Sequence, residues 1–461
     1  MEKYIRNRQQ RTIILISITV LMIMQLVTPA IVIKNLQAHR CEEASCETVQ
    51  SENVIKETGL FKTSKKHSDT SYMTSYTLDY SWFFEDNLRF NEELCHTAAM
   101  WSALVYDGYS FNGKTMEETL ARYMDGYEYI DIQGNESDVH GVHAYIGHKL
   151  IKYDQKIKEV VMITIRGTAE RSESISNFDI GSTNQYNLEE DWTNVNNTKG
   201  FDIAATRALR EINKYIEMQL DKNVTDKPAV FLTGHSRGGA IANILANKMY
   251  IQSNIGDIYA YTFASPNTTT SADARQLCPY IFNIVNEEDL VPCLPPKKWR
   301  FDRYGRTISK KLNEVERADF KNKVGKKYRT PTTEELEDIV QVFAQTSENR
   351  DVCYKQGDVS PVTLTKRQYE NLDVELKDYY SVVVNPRDPN KYDLYQQPMY
   401  FMTLLGTVAN AEDNISEKKK FVLNNVAKEY APAKWKFIKS SAKIKDAHYP
   451  DTYIIISKMH S

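Results

Sequence analysis

Cysteine is sparse in this chain, with six residues among 461, and their spacing is not that of a dense disulfide framework. Cys41 and Cys46 sit together in a polar stretch, where they can pair with each other or across two chains. Cys95 falls in the helical pattern "ELCHTAAMWSALVYD" and reads as a buried thiol, whereas Cys278, Cys293 and Cys353 have no assignment. No small residues of a lipidation signal precede Cys41. Excess charge is missing too. The net charge is −3, and basic runs such as "KKW" and "SKK" are short and interleaved with acids, so a nucleic-acid partner has no electrostatic support. Internal repeats and low-complexity tracts are absent. What remains is a hydrophobic fraction of 41% with 11% aromatics, enough for a sizeable core in a chain longer than one average domain.

Charge is also absent from one long run, "TIILISITVLMIMQLVTPAIVI" at 12–33, which as a helix would span about 33 Å. Lys3, Arg6, Arg8 and Arg11 precede it, and the chain turns acidic at Glu42, Glu43 and Glu47 beyond it. The bias predicts residues 1–11 in the cytoplasm, a single-pass membrane anchor at 12–33 and the bulk of the chain outside. Secretion after cleavage of a signal peptide is the alternative, although no small-x-small cleavage site is obvious near Pro29 and Ala30. Five N-x-S/T sequons begin at Asn135, Asn196, Asn223, Asn267 and Asn414, and matter only in a host that glycosylates.

Residues 34–72 are polar and mixed in charge and read as a stem, with order expected from "LDYSWFFEDN" onward. A helix is predicted near 90–107, and "AYIGHKLIKYD" and "EVVMITIRGT" form a predicted hairpin. A long helix near 201–220 and two further strands, "IYAYTFASP" and "YIFNIVNEEDLVP", follow in turn. Strands separated by helices predict an α/β fold, with a mostly parallel central sheet and helices on both faces. Residues 73–304 and 440–461 form the expected catalytic domain. Residues 305–439 lack the βα rhythm and read as a mostly helical insertion or cap.

The richest stretch is "PAVFLTGHSRGGAIANILANKMY". An apolar strand runs into a helix with Ile241, Ile244, Leu245 and Met249 on one face, leaving only Gly234–Gly239 for the turn. Glycines at 234, 238 and 239 suit both unusual backbone angles and a close approach of strand and helix. Gly-His-Ser-Arg-Gly then reads as a nucleophile elbow that holds Ser236 above the sheet edge. A chance pentapeptide match is the bland alternative; the strand–turn–helix setting argues against it.

An elbow serine needs a base, an orienting acid and oxyanion donors. "IFNIVNEEDLVPCLPP" places Glu287, Glu288 and Asp289 at a strand end before a proline-stiffened exit, and Asp289 is the candidate acid. Only His448 and His460 lie downstream, and His460 adjoins the C-terminus. His448, in "KDAHYPDTYIIIS", is placed on a loop before an expected apolar strand and is the candidate base. The amides of Arg237, after the serine, and Thr168, at the end of "VVMITIRGT", are the candidate oxyanion donors.

In order along the chain, "TIRGT", "KGFDIAATRAL", "LTGHSRGGAIANILA", "YTFASP", "IVNEEDLVPCLPP" and "DAHYPDTY" resemble the class 3 lipase family, over about 74–304 and 440–461. The resemblance implies an α/β-hydrolase fold and hydrolysis of acylglycerols or related esters. It matches Ser236, Asp289 and His448 to the family's catalytic triad, and Thr168 and Arg237 to its oxyanion positions. Two departures stand out. Arg237 replaces a more usual apolar residue and would bring a cation near the acyl site, favouring anionic or polar substrates. The long Asp289–His448 gap leaves room for the insertion to reshape the cleft.

His140, His143 and His148 invite a metal reading, but their spacing suits neither one helix face nor one strand face, and no cofactor or metal is expected. Residues 169–198 occupy the position of a lid, yet offer only Ile175, Phe178, Ile180 and Trp192 to a lipid surface. The expected protein is therefore a membrane-anchored serine hydrolase of lipid esters, with a phospholipase within that range. A carboxylesterase acting on soluble or cell-envelope esters is one alternative. A catalytically silent, membrane-tethered binding module is the other, against which the retention of all three candidate residues argues.

Overall fold

The computed structural model of the chain describes residues 55–63, 72–133, 140–168, 196–221, 224, 226–252, 254–295, 297, 301–324, 362–371, 380–385, 388–396 and 447–458. The expected anchor at 12–33 with its flanks, Cys41, Cys46, Cys353, His460 and the lid segment up to 195 lie outside these residues. Among the described residues no helix is long and apolar enough to cross a membrane.

In chain order the elements begin with strands β1 (Lys56–Lys62) and β2 (Met73–Asp79), helix α1 (Glu92–Leu104), β3 (Ser110–Phe111), α2 (Met116–Tyr123) and β4 (Gly126–Ile132). Next come β5 (Val142–Tyr153), β6 (Lys156–Ile165), α3 (Lys199–Gln219), β7 (Ala229–His235), α4 (Arg237–Gln252) and β8 (Ile258–Phe263). Then follow β9 (Ile281–Asn286), β10 (Arg306–Lys310), α5 (Glu314–Val324), β11 (Val362–Thr365), β12 (Tyr380–Val384), β13 (Lys391–Gln396) and α6 (Pro450–Ser457).

The central sheet has seven strands in the order β10-β9-β8-β7-β6-β5-β4. From β6 to β10 neighbouring strands are parallel, whereas β4, β5 and β6 form an antiparallel meander. The predicted hairpin is β5–β6, closed by Asp154 and Gln155 with φ of 46° and 61°. Strands of such a sheet are covered on both faces, and so read as continuous apolar runs. Their side chains still alternate. Val160, Met162 and Phe231 point into one core with α1, α6 and the β1–β2 hairpin, while Val161, Ile163, Val230 and Leu232 point into a second core with α3 and α4.

Helix α1 starts where the Asn91 side chain accepts a hydrogen bond from the Leu94 amide, with Glu92 and Glu93 in its first turn. It is buried from Leu94 to Leu104, between the sheet and α6. His96 faces α6, where its Nδ1 lies 2.8 Å from Ser457 Oγ. Burial, with Lys458 adding to it, pushes the His96 pKa down to about 3.

Four sequence expectations need correction. The stem at 34–72 contains β1, which pairs with β2 from Lys56↔Asp79 to Lys62↔Met73. The polar string "KETGLFK" hides this strand because only alternate residues, Glu57 and Phe61 among them, face inward. The catalytic body does not end at 304: β10 extends the central sheet, and Leu312 and Phe320 join its core. Within 305–439 the expectation of a mostly helical insertion fails for 362–396, whose described part is a three-stranded antiparallel sheet, β11-β13-β12, with a short helix at Lys366–Glu370. The apolar strand expected after His448 is helix α6, opened by Pro450. Its isoleucines favour a strand intrinsically, but packing against α1 decides the matter. Among the cysteines, Cys95 and Cys278 are buried free thiols and Cys293 is free and exposed. Asn267, one of the sequon asparagines, is buried with its Nδ2 donating to Pro295 O at 2.8 Å.

His96 makes the fold sensitive to acid. A folded-state pKa below the ordinary value of 6.5 means that acid favours the unfolded chain. The stability that the neutral imidazole contributes is therefore whole above about pH 6.5 and is lost as pH falls towards 3. Urea unfolding of the wild type and His96→Gln at several pH values should show their stability difference shifting by up to about 1.4 kcal/mol per pH unit across that window. A difference constant from pH 7 to pH 4 would refute this account.

Candidate active site

Strand β7 ends at His235 and α4 begins at Arg237, so Ser236 alone makes the turn. Ser236 has φ of 58°, a left-handed conformation that costs a residue with a side chain about 1–2 kcal/mol. Its amide donates to Phe263 O at 2.9 Å, and its carbonyl accepts from the Ala240 amide at 3.0 Å as the first bond of α4. The neighbouring glycines serve close approach rather than positive φ. A Cβ at Gly238 would lie 2.2 Å from Ile165 O, and one at Gly234 would lie 2.4 Å from Gly238 O. Both distances are sterically forbidden, so side chains there would separate α4 from β6 and β7.

Asp289 follows β9 by one short turn. Its amide donates to Asn286 O at 3.0 Å, and its Oδ1 accepts from the Val291 amide at 2.9 Å. Its Oδ2 accepts two hydrogen bonds, from the Tyr453 hydroxyl and from His448 Nδ1, each at 2.8 Å. On the other side of the ring, His448 Nε2 lies 2.9 Å from Ser236 Oγ. The Asp289 side chain is fully buried, while that of His448 keeps 22% exposure. The ionised carboxylate can only accept, so Nδ1 carries the proton and the Nε2 lone pair faces the serine hydroxyl. The structure thus brings Ser236, His448 and Asp289 into one unbroken line of hydrogen bonds, from segments 212 and 159 residues apart.

The neighbouring acids do different work. Glu288 is buried and paired with Arg317 of α5, and Glu287 is exposed. Thr168 sits just beyond β6, next to Gly167, where a Cβ would lie 2.7 Å from His235 O. The strand end that carries Thr168 is therefore packed against the elbow. The Arg237 amide lies at the opening of α4, whose positive dipole end points to the same place. The Arg237 side chain is another matter. It is 1% exposed, donates from Nη2 to Gly141 O at 2.7 Å and stacks 5.8 Å from the centre of the Phe201 ring. The cation expected beside the acyl site is held in the interior between β5 and α3, which removes the inference of anionic or polar substrates drawn from it.

Several supporting residues escaped the sequence reading. Asn286 Nδ2 donates to Ala447 O at 3.0 Å, and the Asn286 amide donates to the Tyr453 hydroxyl at 3.1 Å. His235 Nε2 lies 2.7 Å from His448 O. Arg303, whose pKa burial pushes down, donates from Nη1 to Pro292 O at 2.6 Å and to Ser265 O at 2.9 Å, tying the loop after Asp289 to the end of β8. Tyr453 had a weak signal, lying five residues beyond the candidate base on what proves to be a helix. Arg303 had none. The three upstream histidines do not converge. His143 Nδ1 lies 2.8 Å from Asp131 Oδ1, and His148 Nδ1 lies 2.7 Å from the Tyr215 hydroxyl. Among the described residues no group of three or more His, Cys, Asp or Glu side chains is placed to hold a metal ion.

A mostly parallel sheet and a strand–serine–helix elbow, with a line of hydrogen bonds running through the serine, are the arrangement of an α/β-hydrolase. Residues 162–299 match the family model described as Lipase (class 3), and this stretch, which carries the elbow and Asp289, belongs to that family. No curated protein sequence matches the chain. Similar solved structures include the Rhizomucor miehei lipase propeptide complex at 19% identity, covering 47% of this chain and 67% of that one, with a TM-score of 0.30. Nonglycosylated Yarrowia lipolytica LIP2 lipase follows at 16% identity, 50% and 79% coverage and a TM-score of 0.33. The lipase of Rhizopus microsporus var. chinensis is similar at 18% identity, 48% and 74% coverage and a TM-score of 0.32.

The close contact at Gly238 makes a simple test. Gly238→Ala is expected to lower stability by about 2–3 kcal/mol through overpacking against β6, with esterase activity falling beyond what unfolding explains. Denaturant unfolding and activity of the soluble fraction measure both; an alanine accepted without loss would contradict the contact.

Proposed function

We propose that the chain is a serine ester hydrolase acting on lipid esters. The observation that carries this reading is the Ser236–His448–Asp289 line, at 2.9 and 2.8 Å, with the serine in a strained turn at the sheet edge. Ser236 Oγ attacks an ester carbonyl while His448 Nε2 takes its proton. Asp289 holds the imidazole in the tautomer that presents Nε2 and stabilises its charged form. The amides of Thr168 and Arg237 receive the developing oxyanion, aided by the helix end at Arg237. His448 then protonates the leaving alcohol, and a water activated by the same base releases the acyl group from Ser236.

The class 3 lipase match supports a lipase or ester hydrolase; acylglycerols or related lipid esters are the substrates of this proposal, with phospholipids as a variant that the match does not single out. The uncharged run at 12–33 agrees with this reading, since an anchor there would hold the catalytic body against a membrane on its outer side. The polar character of residues 169–198 favours a second reading, a carboxylesterase for soluble or cell-envelope esters.

Hydrolysis of p-nitrophenyl esters from short to long acyl chains by the detergent-solubilised full chain tests the proposal. A soluble form would have to begin before Lys56, because β1 is part of the core. Ser236→Ala is expected to lower kcat by about 10⁵–10⁶-fold, and Asp289→Asn by about 10⁴-fold. A fluorophosphonate probe should label the wild type and not Ser236→Ala. A long-chain optimum supports the lipase and a short-chain optimum the carboxylesterase. A wild type that neither hydrolyses esters nor takes the label would leave the binding module as the reading.

A further inference from the structure

Helix α6 begins its hydrogen bonding at Tyr449, whose carbonyl accepts from the amides of Thr452 and Tyr453 at 3.0 and 3.4 Å. The carbonyl of His448 lies one residue outside the helix, and a carbonyl in such a place needs another donor. His235 supplies it. This side chain is 3% exposed, its Nε2 is 2.7 Å from His448 O, and its ring centre lies 4.9 Å from that of His448. A backbone carbonyl can only accept, so the proton of a neutral His235 is on Nε2. Nδ1 is then an acceptor, and the Tyr106 hydroxyl, 3.4 Å away, is the group positioned to donate to it. Tyr106 is itself confined, since its oxygen fills the space that a Cβ at Gly167 would enter at 2.0 Å.

Resting on the hydrolase reading above, we propose that His235 is a positioning residue for the base: its Nε2–H pins the His448 backbone to the turn that carries Ser236, and Tyr106 fixes the tautomer that makes this bond possible. The reason is geometric. Ser236 and His235 are consecutive, so any shift of the elbow carries the nucleophile and the anchor of the base together. The Ser236–His448 distance is thereby kept. Of the described donors, Asn286 to Ala447 O is the second tie on this segment, and it comes from the strand that precedes the acid. The segment that carries the base is thus tied to two strand ends, that of β7 beside the nucleophile and that of β9 just before the acid.

Three variants of the full chain separate this role from mere filling of the core. His235→Phe keeps a ring and removes the donor; it is expected to lower kcat about 100-fold, with KM within about twofold, because a misplaced base costs the chemical step and not binding. His235→Gln restores an N–H of similar reach and is expected to recover at least about tenfold of that loss. Tyr106→Phe removes one hydroxyl from a partly buried ring and is expected to lower kcat about fivefold at unchanged KM, through the unfixed tautomer. Wild-type kcat in His235→Phe, equal losses in His235→Phe and His235→Gln, or wild-type kcat in Tyr106→Phe should His235→Phe not fold, would each overturn the proposal. If the wild type itself is inactive and unlabelled by fluorophosphonate, the hydrolase reading falls and takes this proposal with it. An active wild type with an indifferent His235→Phe removes the proposal alone.

Discussion

The left-handed backbone of Ser236 is the constraint on which the site depends. A non-glycine residue at φ 58° stays there only if its surroundings over-determine it, and here they do. The Ser236 amide is taken by Phe263 O, its carbonyl is taken by the Ala240 amide, and β6 presses on Gly238 with no space for a side chain. The strain is modest beside the two apolar cores that hold β7 and α4 in place. Its effect is to lift one hydroxyl off the sheet edge and point the start of a helix at the same region.

Around that turn the molecule solves a second problem, which is to bury charge and polarity without leaving them unmatched. Asp289 is wholly buried and accepts from a tyrosine, a histidine and a backbone amide. Burial of an unpaired carboxylate would be very costly, so these donors are a condition of the fold as much as of the chemistry. Arg237 and Arg303 show the same principle with the sign reversed. Each buried guanidinium is spent on backbone carbonyls that hold a loop or a strand start in position. Arginine's fixed fork of donors suits that task better than a point charge would. Helix α6 ties the arrangement together, since it follows His448, supplies the Tyr453 hydroxyl and docks on α1 through Ser457 and His96.

The elbow was legible because its requirements are local: an apolar strand, three glycines within six residues around the serine, and a helix with an apolar face. Asp289 was legible for a similar reason, as a strand end followed by prolines. His448 could be singled out only by elimination among few histidines, and its setting was misread because "TYIII" prefers a strand until it is packed against α1. Strand β1 was hidden by its polar residues, of which Lys56, Thr58 and Lys62 face solvent. The end of the catalytic body was placed too early because β10, a short edge strand with the sequence "RTISK", lacks an apolar signature.

Local chemistry alone required a serine at a glycine-lined turn after a buried strand, an acid after a later strand, and a mostly parallel central sheet. Steric limits on the backbone and the period of apolar residues are local properties, readable without coordinates. The tertiary structure decided which of three adjacent acids faces the histidine, where the Arg237 side chain goes, and that Tyr453, Asn286, Arg303 and His235 surround the site. Those outcomes depend on which distant segments are neighbours in space. A buried donor finds its acceptor by position in the fold, across 213 residues between His235 and His448, and no local pattern records that distance.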